Sequence, residues 1–259
     1  QKMGINTLRL HAGIPPEWVE FMRDRYGIYT VLYHDFGRYG INLDGHYHPN
    51  TNYQDPRVRE HLKGQAKAMV ERYKDTRGIL LWLLGNENNY GLHWSSNEIE
   101  ALPDNEKHRG RAAFLYSLYG ETVDLIHALD PNHPVSISNG DLQYLDLVAK
   151  HVPNLDIFAT NVYRGISVGD MFQRVKDELG IPIYFGEFGA DAYNAKEFRE
   201  DQLNQAAYLH GQWREIYEQS YGKGLVANCA GGIVFQWDDG WWKYKQEENL
   251  HIHDTTASW

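Results

Sequence analysis

Apolar, β-rich runs alternate with segments of helical periodicity along this chain, and that alternation restricts the fold more than any other feature. Strands are expected over residues 5–10, 29–33, 79–84, 134–137, 156–160, 181–185 and 232–237. Each is apolar on consecutive positions, so both faces are buried, as in a parallel sheet covered by helices. Helices are expected over 17–25, 57–74, 111–129, 171–179 and 198–219. Val58, Leu62, Met69, Val70 and Tyr73 share one face of the second, and Leu115, Leu118, Leu125 and Leu129 one stripe of the third. In the last, Leu203, Ala207, His210 and Ile216 fall roughly in line. The polar segments 34–54 and 86–109 read as long loops. Gly4 reads as the C-cap of a helix ending at the start of the chain.

Two parallel architectures compete. A doubly wound sheet marks its first βα turn with a Gly-rich phosphate loop, and no G-x-G-x-x-G or P-loop occurs here. A (β/α)8 barrel places polar residues at the C-terminal ends of its strands. The strands here end in Arg9 and His11, His34 and Asp35, Asn86 and Glu87, Asn139, Asn161 and Tyr163, Glu187, and Trp237 and Asp238. The expected fold is therefore the barrel, although it needs eight strands and seven are found.

Two carboxylates carry the chemistry. Glu87 and Glu187 each close an apolar strand and each stands near a glycine, Gly85 or Gly186. In a barrel both point into one mouth. Two carboxyls about 5–5.5 Å apart suit retaining glycoside hydrolysis, one as nucleophile and the other as acid, then base. Aromatic residues make up 14% of the chain, with eight Trp. Several, such as Trp94, Trp241 and Trp242, lie in polar loops, where aromatic faces can stack on sugar rings. The charge balance, 25 − 35 = −10, argues against nucleic acid, whose binders present basic surfaces. Absence of an apolar run of about 20 residues argues against a membrane span. Cys229 is the sole cysteine, so no internal disulfide forms.

These residues resemble known motifs. Gly85-Asn86-Glu87-Asn88 is similar to the Asn-Glu pair that carries the acid/base of the clan A retaining (β/α)8 glycosidases, and Glu187 in Phe185-Gly186-Glu187-Phe188-Gly189 to their nucleophile. Asn161-x-Tyr163 resembles the clan's sixth-strand motif and Phe235-Gln236-Trp237 its eighth-strand Trp. Asn6-Thr7-Leu8-Arg9-Leu10-His11, followed by Pro15, resembles the second strand of glycoside hydrolase family 2, the β-galactosidase and β-glucuronidase-like enzymes. Leu10 stands where that pattern has Ser, and His34-Asp35-Phe36-Gly37 where it has an acidic, Asn-containing run.

The resemblance implies a single catalytic barrel over residues 1–259 whose first strand is missing, hence a piece of a longer polypeptide with other domains. It implies a retaining O-glycosidase acting on a β-linked sugar, without cofactor or metal, and favours a secreted or periplasmic protein. Glu187 would be the nucleophile, with Arg9 and Tyr163 against it; Glu87 would be the acid/base. Asn86 would bind the sugar 2-hydroxyl and Trp237 stack under the ring. His11 and His34 would shape the pocket, and Asp35 and Asn161 complete the substrate-binding set. Loop composition favours a neutral or amino sugar over an acidic one. Three alternatives stay open: a β-glucan transglycosylase, a non-catalytic carbohydrate-binding protein, and a metal-dependent hydrolase. The last would use His34, Asp35, His46 and His48 or the pair His251 and His253.

Overall fold

The structure is a computed structural model that describes residues 3–238 and 240. The strands in chain order are β1 (Thr7–His11), β2 (Tyr29–His34), β3 (Ile41–Leu43), β4 (His46–His48), β5 (Ile79–Leu84), β6 (Val135–Gly140), β7 (Ile157–Val162), β8 (Ile183–Phe188), β9 (Tyr193–Asn194), β10 (Arg199–Glu200) and β11 (Cys229–Val234). The helices are α1 (Pro16–Tyr26), α2 (Pro56–Tyr73), α3 (Asn97–Glu100), α4 (Asp104–Leu129), α5 (Leu145–His151), α6 (Met171–Leu179) and α7 (Gln202–Glu218), with a 3-10 turn at Asn88–Tyr90. Among the described residues one 7-stranded sheet runs β1-β2-β5-β6-β7-β8-β11. Its pairings are parallel throughout. Its end strands β1 and β11 come close together without a ladder between them. The sheet is thus a nearly closed barrel of the (β/α)8 type.

Both faces of the five inner strands are largely buried, as the unbroken apolar runs predict, whereas the end strands β1 and β11 are mostly half-buried. Leu32, Trp82, Leu84, Ile137, Phe158 and Phe185 point outward into the main core beneath the helices. The alternate residues Val31, Leu81, Leu83, Ala159 and Tyr184 fill the barrel interior. All five apolar positions of α2 singled out above are buried in that outer core. Burying each such side chain stabilises the fold by about 1.5–3 kcal/mol. Asp55 begins α2 by accepting a hydrogen bond from the Arg57 amide, with Pro56 in the first turn. Gly27, at φ +69°, ends α1 by donating to Arg23 O while Ile28 donates to Met22 O.

The structure corrects several boundaries. α4 begins at Asp104, inside the expected loop, because Pro103 precedes it and Asp104 and Glu106 face its positive end. That first stretch is too polar to show an apolar period. α5 is too short for its periodicity to register. Segment 34–54 contains the hairpin β3–β4, turned at Asp44-Gly45 with both φ positive, the geometry a tight hairpin demands. The last strand ends at Val234, ahead of Trp237. Of the expected stripe on α7, Ile216 is buried and Leu203 is 86% exposed. The helix is held instead by buried Gln212, whose Nε2 donates to Gly165 O and Gly189 O. Gly4 adopts φ +74°, while Gln1 and Lys2 of the expected helix end lie outside the described residues.

Candidate active site

The C-terminal ends of the strands converge on a connected hydrogen-bond network. Arg9, near the end of β1, points into the barrel over the Tyr33 ring, 4.6 Å from its centroid. Its Nη1 donates to Glu187 Oε1 at 2.9 Å and to Gly186 O at 3.1 Å, and its Nη2 to Asn86 Oδ1 at 2.9 Å. Asn161 Nδ2 donates to Asn86 Oδ1 at 3.0 Å and to Glu87 Oε1 at 3.2 Å. Tyr163 donates its hydroxyl to Glu187 Oε2 at 3.1 Å. Glu87 and Glu187, 100 positions apart in sequence (187 − 87), thus belong to one cluster.

A guanidinium has donors and no acceptor, so Arg9 sets the polarity of the cluster. Asn86 Oδ1 accepts from it, which turns Asn86 Nδ2 outward to the Tyr39 hydroxyl at 2.9 Å. The Asn161 group facing Asn86 Oδ1 must then be the donor Nδ2. Its oxygen turns to Ser138, whose Oγ donates at 3.1 Å.

Backbone irregularities aim both glutamates. In β8, Tyr184 faces the interior and Phe185 the outer core, so simple alternation would send Glu187 outward. The ladder skips one residue: Thr160 pairs with Phe185 and Asn161 with Glu187. Gly186 is the extra residue of a bulge that returns Glu187 to the inside. A Cβ there would crowd Asn161 Oδ1 at 3.1 Å and Ser138 Oγ at 3.4 Å. Gly85 plays a different part. It takes φ +77°, and a Cβ would meet the Tyr119 hydroxyl at 1.9 Å. Beyond it Glu87 itself adopts φ +58°, with its N–H donating to Ser138 O at 2.9 Å. Buried Asn88 pins this turn: Oδ1 accepts from Asn86 N at 2.7 Å, and Nδ2 donates to Phe36 O at 3.0 Å and Tyr53 Oη at 2.8 Å.

The hydroxyl of Tyr163 is aimed inward although the residue as a whole is 53% exposed. Its partial burial, reinforced by the Glu187 charge, pushes its pKa well above the usual tyrosine range, so it acts as a neutral donor. Burial likewise raises that of Tyr33, against the lowering influence of Arg9.

Of the residues expected at the site, Arg9, Asn86, Glu87, Asn161, Tyr163 and Glu187 are joined directly. His11 is exposed at the rim, edge-on to Tyr33 at 4.8 Å. Asp35 closes its own turn by accepting from Gly37 N at 3.2 Å. Trp237 lies past β11 and is 77% exposed. His34 follows inward-facing Tyr33, so its ring points the other way and its Nδ1 accepts from Phe36 N at 3.0 Å. Asn139 is buried on the outer face of β6, where its Nδ2 donates to Asp141 O and Gln143 O. Trp94 is no platform: it is 6% exposed and packs on Tyr53. Trp241, Trp242, His251 and His253 lie outside the described residues. Among the described residues no three His, Cys, Asp or Glu side chains converge as metal ligands. Tyr33, Tyr39 and Ser138 belong to the cluster and were not expected there.

Residues 1–220 match the family model of the glycosyl hydrolases family 2, TIM barrel domain. The chain belongs to this family. This family 2 barrel superposes on solved structures at low identity. One is an FMN-binding beta-glucuronidase from Facaelibacterium prausnitzii L2-6, with TM-score 0.63 and 16% identity over 90% of this chain and 32% of that one. Another is the Bifidobacterium dentium beta-glucuronidase, with TM-score 0.57 and 20% identity over 89% and 34%. A curated relative, the probable mannan endo-1,4-beta-mannosidase C of Aspergillus terreus, is 33% identical over 98 residues, 38% of this chain and 23% of that protein. The matched part of this chain thus covers about a quarter of the mannosidase and about a third of each of the two solved structures.

Proposed function

We propose that this family 2 barrel hydrolyses a β-linked O-glycoside with retention, by double displacement. The observation that carries the reading is the cluster of Arg9, Asn86 and Asn161 that joins Glu87 to Glu187. In the first step a Glu187 oxygen attacks the anomeric carbon. The bond to the leaving oxygen breaks and Glu87 delivers a proton to that oxygen. Arg9 and Tyr163 hold the attacking carboxylate in line. In the second step water attacks the same carbon, Glu87 takes the water's proton and Glu187 leaves as carboxylate. Asn86 Nδ2 is the donor available to a sugar hydroxyl, since its oxygen is already doubly occupied. Trp237, His11 and Asp35 are assigned to the surrounding sugar subsites, Trp237 as a stacking surface.

The test is proton NMR of the first-formed product from 4-nitrophenyl β-glycosides of galactose, glucose, mannose and glucuronic acid. The β-anomer is expected first, and Glu187→Gln should abolish its formation. The α-anomer appearing first would overturn the mechanism.

A further inference from the structure

Ser138 sits in the middle of β6 on the interior face, 2% exposed, next to Asn161, which is 3% exposed. It grips Glu87 by two routes. Its carbonyl accepts directly from the Glu87 amide at 2.9 Å. Its hydroxyl donates to Asn161 Oδ1 at 3.1 Å, and Asn161 Nδ2 donates in turn to Glu87 Oε1 at 3.2 Å. A side-chain amide presents oxygen and nitrogen in nearly the same shape, so its orientation is decided by its neighbours. Arg9 decides one end through Asn86, and the Ser138 hydroxyl decides the other. The bare Cα of Gly186 leaves room for that pair.

The orientation matters for an acid. A carboxyl oxygen that accepts from an N–H keeps its lone pair turned to that donor. The carbonyl oxygen of a carboxyl is the better acceptor, so this bond favours the proton on the other oxygen. Resting on the double-displacement reading, we infer that Ser138 is a positioning residue: by fixing the Asn161 amide it keeps Glu87 Oε1 an acceptor and places the transferable proton on Oε2. Without the hydroxyl, Asn86 Oδ1 alone holds the Asn161 nitrogen on this side, the Asn161 amide turns its oxygen toward Glu87 more often, and the proton is then shared with that oxygen instead of the leaving group. The carbonyl bond to the Glu87 backbone survives a side-chain change, so Ser138→Ala isolates the hydroxyl.

The experiment compares kcat/KM, which reports the first displacement, for methyl and 2,4-dinitrophenyl β-glycosides of the four sugars named above. Methoxide leaving needs the acid; dinitrophenolate leaving does not. In Ser138→Ala the methyl glycoside should lose about tenfold or more, a fraction of what a general acid contributes, while the dinitrophenyl glycoside stays within about twofold. Ser138→Thr, which keeps the hydroxyl, should restore the methyl glycoside. Equal losses on both substrates, or none on either, would overturn the inference. A second readout is independent of turnover: the Asn161 side-chain NH2 signals in a 1H–15N spectrum, identified by their loss in Asn161→Asp. They should shift and exchange faster in Ser138→Ala, and unchanged signals would again overturn the inference. If the unmodified protein cleaves none of these glycosides, the double-displacement reading falls, and the NH2 signals still decide whether Ser138 orients Asn161.

Discussion

Replacing Arg9 by Met keeps an unbranched side chain of similar length and removes the cation paired with Glu187. The Arg9 and Glu187 side chains are 7% and 15% exposed, so this ion pair lies in a low-dielectric setting. Removing one partner of a buried pair costs about 3–5 kcal/mol, because the other charge stays behind uncompensated. Two features favour the lower end: Tyr163 still donates to Glu187 Oε2, and the carboxylate retains some contact with water. At about 3 kcal/mol, and about 2–4 °C per kcal/mol for a chain of this size, Tm should fall by about 6–12 °C. The assay is urea and thermal unfolding of wild type, Arg9→Met, Glu187→Gln and the double variant. With Glu187 neutral, Arg9→Met forfeits mainly its bonds to Asn86 Oδ1 and Gly186 O, about 1–2 kcal/mol together. A coupling of about 1–2 kcal/mol between the two sites should remain as the charge contribution. If Arg9→Met costs the same in both backgrounds, Arg9 does not act on Glu187 through charge, and the electrostatic part of the argument is wrong.

Two further outcomes are expected. Glu87→Ala should lose alkyl glycosides while still turning over the dinitrophenyl glycoside, with azide accelerating that reaction and yielding a β-glycosyl azide; unimpaired cleavage of alkyl glycosides would remove Glu87 from the acid/base role. Burial, opposed by Asp35, holds the His34 pKa below its usual 6.5, and the Nδ1 that accepts from Phe36 N must stay unprotonated to do so. The unfolded chain therefore binds the proton first: the stabilisation is complete above 6.5 and falls as pH drops below that value. The urea midpoint between pH 8 and pH 5 should decline less in His34→Gln than in wild type, and equal declines would refute this assignment.

The fold was legible because its signal is local. Strands such as β2 and β5 are buried on both faces, so each announces itself by an unbroken apolar run. Elements whose stability comes from elsewhere were not. The first turns of α4 are charged and rest on Pro103 and the helix dipole. On α7 the residues that fix the helix are Gln212, by hydrogen bonds to two loop carbonyls, and Ile216, so the aligned stripe through Leu203 was a poor guide to burial. Trp94 looked like a loop aromatic because its burial depends on Tyr53, 41 positions away (94 − 53).

The site was legible where residue type and strand end coincide, as at Arg9, Asn86, Glu87 and Glu187. It was misread where the face of a strand decides. Asn139 and Ser138 are neighbours on β6, both small, polar and buried, yet Asn139 points to the helices and braces a loop while Ser138 points to the glutamates. Only the partner strands settle which is which. The same holds more sharply for Glu187. Counting alternation from Tyr184 would turn it away from the barrel, and the bulge at Gly186 that corrects the count exists only relative to β7. Motif resemblance puts Glu187 at the barrel mouth without that knowledge, and the bulge turns its side chain there. Gly186 therefore carries two requirements that a sequence read strand by strand cannot separate. It supplies the extra residue that turns Glu187 inward, and the empty space in which Ser138 reaches Asn161. An alanine there would meet Asn161 Oδ1 first, so its cost falls on the Asn161–Glu87 side of the site rather than on the glutamate it precedes.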